Sequence, residues 1–378
     1  MKKLVYIPVC FFLWAVMACS KSHGSGGSPL SYAGSMSLSE PRAYLASASA
    51  GNKAMFAGGV DFANNNAFSS TVDLYDAGTG KWTVTQLSEP RCQLAGAAAG
   101  GRIFFAGGDS SGFGFSSRVD IYDTATGSWT TAQLSLARTL LVAASAGSRV
   151  FFAGGLYDTG WYSNTVDIFD LTTGVWTTAQ LSVARAGFAA AAAGSKVVFA
   201  GGENGPGCNA VDIYDTLSGT WSTAQLSEAR SDLSAAAVDG KILFAGGLAN
   251  GGASTTVDIY DVATGAWSVA HLSKGRVDMA ATAVGDEIIF AGGNVVDTPP
   301  SGSGLVQDGE VTDTVDVYNA RTNSWSVTRL SQAREMAVGA TAGSKLLIAG
   351  GAIPLDPGNN STPFHGSAVV DLFSISGQ

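Results

Sequence analysis

A glycine doublet closing the phrase FAGG recurs along this 378-residue chain, its first glycine at Gly58, Gly107, Gly154, Gly201, Gly246 and Gly292 and, as IAGG, at Gly350. An arginine closing LSxxR keeps the same beat at Arg42, Arg91, Arg138, Arg185, Arg230, Arg276 and Arg334. So does an aspartate preceded by valine, at Asp73, Asp120, Asp167, Asp212, Asp258, Asp316 and Asp371. Three independent markers thus count seven units with a period of about 47 residues, which means an array of one supersecondary motif whose apolar faces are buried by its neighbours. That overrules the two or three domains that length alone suggests.

Each unit reads as four short strands. The first follows the arginine and is crowded with small residues, as in AGFAAAAAG at 186–194. The second, KVVFAGG, is a continuous apolar run, which implies a strand covered on both faces. The third carries the TVDIYD phrase, and the fourth opens at Trp82, Trp129, Trp176, Trp221, Trp267 and Trp325. Gly51-Asn52, Gly147-Ser148 and Gly194-Ser195 join strands one and two, and Thr-Gly joins strands three and four. These are hairpin residues because a central position needs positive φ. In the sixth unit Asn323 replaces that glycine, and Asn is the next most tolerant of the left-handed region.

A doublet ending strand two, an acidic residue and Tyr in strand three, a Trp opening strand four and an Arg after it together resemble the kelch repeat, over residues 31–378. The resemblance implies an all-β fold, a seven-bladed kelch-like β-propeller of four-stranded blades. VDIYDxxTG is superficially similar to the WD40 repeat, but the Gly-His step of that family is missing. The seventh unit stops at Gln378 before any fourth strand, while MSLSEPR ahead of Ala43 aligns with the end of one. An N-terminal strand is therefore expected to complete the last blade, leaving no unpaired edge.

Lys2 and Lys3 precede an apolar stretch, Leu4 to Ala18, of export-signal length and too short to span a membrane comfortably. Val16-Met17-Ala18-Cys19 resembles the lipobox of bacterial lipoproteins, which implies a signal peptide at 1–18 and Cys19 as the lipidated residue. Residues 19–30 then form the anchor and a Gly/Ser tether, and residues 31–378 the propeller. The expected location is extracytoplasmic, on the outer membrane or cell surface, with membrane contact through the lipid only. Cys92 and Cys208 sit in unrelated repeat positions and are expected to be free, largely buried thiols.

With 46% hydrophobic and 13% charged residues the chain has material for a large core, and its net charge of -9 excludes nucleic acid as a partner. Blade geometry puts the seven arginines around one channel mouth, on the face that also carries the loops between strands two and three. Arg at the matching position can contribute to ligand binding in kelch proteins, and seven together would form a positive rim. A residue present in every blade is, however, more simply a blade component. Function belongs where the repeats differ, and Phe113, Phe115, Tyr157, Trp161 and Tyr162 fall on adjacent loops suited to stacking on a sugar or anchoring a peptide. Asp297, Asp308, Glu310 and Asp313 fall in a long loop of unit six, with a spacing that matches no calcium motif. His23, His271 and His365 are scattered, so no metal or cofactor and no catalytic residue is expected. The expectation is a binding module for a glycan, peptide or partner protein. Alternatives are a carbohydrate-active enzyme of the sialic acid mutarotase type, a kelch-like propeller for which only Glu203 stands near the face, and a structural envelope scaffold.

Overall fold

The computed structural model describes residues 30–110, 114–158, 160–205, 207–250, 252–296, 309–354 and 364–375, and every regular element among them is a β-strand. Cys19, Phe113, Asp297 and Asp308, with the signal and tether, lie outside the described residues.

The strands assemble into antiparallel sheets of four in sequence order, and the fourth unit shows the pattern. Ala189–Ala193, Lys196–Ala200, Ala210–Asp215 and Thr220–Gln225 lie side by side. The register sets Phe199 opposite Asp212 and Tyr214 opposite Trp221. Hairpins form where the turn chemistry demands: Gly51, Gly147 and Gly194 have φ of 58°, 59° and 55°, and Asn323 takes 54°. Five further sheets repeat this order in units one, two, three, five and six. In the seventh, Val338–Ala342, Lys345–Ala349 and Phe364–Ile375 are followed in space by the N-terminal Leu30–Arg42.

Packing explains the residue types. Val197, Val198, Phe199 and Ala200 of a second strand are all fully buried, because neighbouring sheets cover both faces. Apolar clusters straddle successive sheets, as where Phe151 and Val166 meet Phe199 and Tyr214. Leu38, Leu347 and Val370 likewise meet Phe56 and Tyr75, joining the last unit to the first. Each buried Phe contributes roughly 2–3 kcal/mol through lost apolar exposure. First strands lie against one another, and Ser47 Oγ donates to the Gly339 carbonyl at 2.8 Å while Ser145 Oγ donates to that of Ala98 at 2.7 Å. Such close approach explains why these strands are built mainly of Ala, Gly, Ser and Thr, with Val the largest residue and found at their ends.

In six sheets the Trp opening strand four packs on the aromatic ring of strand three, with centroids between 4.9 and 5.1 Å apart. The seventh has no such Trp. There Tyr32 meets Phe373 edge-on at 5.6 Å, an aromatic pair supplied from the opposite end of the chain. Both cysteines of the body are free, Cys92 buried and Cys208 half-buried.

Candidate functional site at the axial mouth

The seven arginines are not a positive rim. Arg42, Arg91, Arg138, Arg185, Arg230, Arg276 and Arg334 are each 0% exposed, so the ligand-contact role expected of them is corrected. Arg138 shows why: Nη1 donates to the carbonyls of Gly154 (2.8 Å) and Thr165 (2.7 Å), and Nη2 to Asp167. The second oxygen of Asp167 accepts from the Ser135 amide at 2.8 Å. All seven arginines pair with the aspartate of their own unit. All seven aspartates also accept from the serine of the incoming LSxxR phrase. The three repeated markers are therefore one device, a charge-assisted clamp between the incoming link and strands two and three.

The glycine doublet is the second half of that device. Gly201 and Gly202 have φ of 74° and 101°. A Cβ on Gly201 would lie 2.8 Å from the carbonyl oxygen of Arg230 in the next link, and one on Gly202 2.6 Å from that of Ala186 in its own. Only glycine lets the backbone of two successive links close on the strand end.

This arrangement presents a position that the repeat phrases do not announce. The second residue after each arginine is Tyr44, Gln93, Leu140, Gly187, Asp232, Asp278 or Met336, and all seven are left-handed, with φ of 54°, 52°, 51°, 60°, 52°, 53° and 55°. They share a backbone conformation, and apart from the two aspartates no residue type recurs among them. Main-chain bonds tie several to the next around the mouth: Gln93 N to Tyr44 O at 3.0 Å, Asp232 N to Gly187 O at 2.7 Å and Met336 N to Asp278 O at 3.0 Å. All seven line one cavity of about 290 Å³. Beside them the residue after each arginine bridges the residue after each glycine doublet, as in Ala186 with Glu203 and Glu335 with Ala352, so links and loops share this face.

The cavity has two halves. Tyr44 and Met336 pack with Phe62 against a small apolar cluster of Ala43, Val60, Cys92 and Ala352. Next to Met336 in the ring come Asp278 and then Asp232, and none of the residues lining the cavity is Lys, Arg or His. Burial, with Glu203 nearby, pushes the Asp232 carboxyl up to about 6. Burial and the fields of Asp232 and Glu335 raise Asp278 well above the usual carboxylate range. Burial pushes Glu335 up to about 7, against a hydrogen bond from Asn294. Tyr44 is raised by burial and then by Asp278 and Glu335, so it stays neutral.

The predicted aromatic group is only partly assembled. Tyr157 and Trp161 face each other in a two-residue ladder, and Trp161 is 66% exposed. No ring contact links Phe115, Tyr157, Trp161 and Tyr162 among the described residues, and the Tyr162 hydroxyl instead donates to Glu203 across to the next unit at 3.4 Å. Glu310 pairs with Lys274 at 3.2 Å and Asp313 with Arg329 at 2.6 Å, so these two carboxylates are tied locally.

Residues 44–229 match the KLHDC2/KLHL20/DRC7 Kelch-repeats domain, and residues 229–270 match the Kelch motif. No curated protein matches the chain. Among solved structures the chain is similar to that titled "Structure of YjhT", at 18% identity and a TM-score of 0.59, over 78% of this chain and 99% of that one. At that identity the likeness speaks for fold alone. Taken with the repeated four-stranded antiparallel sheets, these matches make residues 44–270 a run of kelch repeats in a kelch-type β-propeller.

Proposed function

We propose that this chain is a binding module whose ligand, a glycan, peptide or partner protein, enters the axial mouth on the loop face. The carrying observation is that cavity: one position per repeat, held in one backbone conformation, is filled by seven residues of six types. A purely structural array has no use for variety at the single place where all repeats converge.

The reading rests on seven blades closing into one ring, with Leu30–Arg42 as the last blade's fourth strand. Supporting it are the pairing of Leu30–Arg42 with Phe364–Ile375 and the cluster that joins first and last units. On the same footing Cys19 is the lipidated residue, and the tether after it delivers the module to the outer face of the cell envelope.

A second reading, a carbohydrate-active enzyme that anomerises an acidic sugar, draws on Asp232 and Glu335, whose protons come off near neutral pH. The lack of a basic residue in the lining, which would hold such a sugar's carboxylate, favours binding over this chemistry. The test is a thermal-shift screen of neutral sugars, acidic sugars and peptides on the full chain, repeated on Leu140→Trp and Trp161→Ala. A ligand that stabilises the parent and Trp161→Ala but not the plugged Leu140→Trp supports the mouth. Ligands that stabilise all three alike remove it, and a measurable anomerisation rate on a sialic acid favours the enzyme.

A further inference from the structure

The acidic half of the mouth is unusual because every arginine that could neutralise it is already committed. Asp232 and Asp278 are successive residues of the left-handed ring, joined by a long backbone contact of 3.5 Å from Asp278 N to Asp232 O. Glu335 adjoins Met336 in the next link and is 1% exposed, yet its Oε2 has no partner. Asn294, also 1% exposed, reaches the Glu335 side chain and still leaves its own Oδ1 unpartnered. A buried acceptor without a donor is costly, more so when charged, and two side by side call for a group that donates. The other titratable groups facing this sector are Tyr44, Cys92, Glu203 and, through Glu203, Tyr162; none is a cation. No group of His, Cys, Asp and Glu with the arrangement of a metal site occurs among the described residues.

We infer that this sector receives a primary ammonium group of the ligand, held by Asp232 and Asp278, with Glu335 and Asn294 behind them and Tyr44 and Met336 as the apolar wall. The ammonium supplies three donors in a compact head, which suits several acceptors converging on one point. Tyr44 adds an aromatic face of the kind that attracts a cation. The inference rests on the mouth being the binding site and narrows its ligand to amine-bearing molecules, such as a lysine-containing peptide or an amino sugar.

Calorimetric titration of the full chain with 1,5-diaminopentane, 1,5-pentanediol and glutarate tests it. At pH 8 the diamine is expected to bind and the diol and diacid to give no heat. At pH 5 Asp232 and Glu335 hold their protons, and affinity for the diamine is expected to fall at least tenfold. Asp278→Asn keeps the shape and suits the left-handed backbone, and Glu335→Gln removes the second charge, so each is expected to weaken the diamine at least tenfold without lowering the melting temperature. Equal binding of diol and diamine, or a diamine affinity indifferent to both variants, overturns the inference, as does absence of diamine binding. In that last case a ligand from the screen that Leu140→Trp excludes would leave the mouth intact as a site, whereas no such ligand would remove both.

Discussion

Arg138 shows what a single residue does here. Its guanidinium is wholly buried, with Asp167 and the carbonyls of Gly154 and Thr165 as its near partners and those of Leu136 and Phe152 at 3.4 Å. A buried pair of this kind adds little net stability over an apolar replacement, but breaking it leaves a bare charge. Arg138→Met is therefore expected to lower the unfolding free energy by about 3–5 kcal/mol in urea titrations. Arg138→Met with Asp167→Leu should recover part of that loss, since the orphaned carboxylate is gone, although the Ser135 amide and the carbonyls of Gly154 and Thr165 lose a partner. The carboxyls of the mouth act in the opposite sense. Asp232 is raised to about 6 and Glu335 to about 7, so the folded state holds protons that the unfolded chain has released. Their contribution is present below about pH 4 and is lost as pH rises through 6 to 7. The melting temperature should fall between pH 5 and pH 8, and the fall should shrink in Asp278→Asn/Glu335→Gln. A flat profile in the parent chain would contradict the buried, unpaired state of these groups. Residues such as Arg138 and Asp167 were legible in the sequence because repetition marks them. The mouth was not, because Tyr44, Leu140 and Met336 have no composition in common and share only a backbone angle that their identities do not signal.

At the scale of the element, strand positions and turns followed from period, apolar runs and hairpin glycines, since each is a local property. The glycine doublet was legible as a marker but not as a cause, because its reason lies in the next unit. Gly201 and Gly219 separate the two contributions: both are left-handed, with φ of 74° and 71°. A Cβ on Gly201 would meet the Arg230 carbonyl at 2.8 Å, while on Gly219 the nearest atom is the Tyr214 hydroxyl at 3.9 Å. Gly219→Ala should cost about 1 kcal/mol, the conformational part alone, and Gly201→Ala several times that, measured by chemical denaturation. The N-terminal strand offers the other test. Leu30–Arg42 covers the last edge and brings Tyr32 onto Phe373. Deleting residues 31–41 should expose that edge and lower the melting temperature sharply, and an unchanged melt would show that the strand is dispensable.

Seven nearly identical sheets meet along their small-residue strands, and the identical parts, clamp and glycine doublet, are consumed in building the frame. What remains for recognition is what the frame leaves variable at its centre. Composition pointed to an acidic chain and repetition to a rim of arginines, yet burial reverses the sign expected there: the positive charges lie inside the blades and the carboxyls face the mouth. That assignment holds only if first and last units are neighbours, so that residues from Tyr44 to Met336 surround one axis. Ser31 and Ser374 are register partners with their hydroxyl oxygens 3.3 Å apart, close enough for cysteines placed there to bridge. With Cys10, Cys19, Cys92 and Cys208 all replaced by serine, Ser31→Cys/Ser374→Cys should oxidise spontaneously to an intramolecular disulfide, seen by mass spectrometry, and raise the melting temperature. Cysteines at 31 and 374 that stay reduced under oxidation would mean that the two ends do not meet and that no common mouth exists.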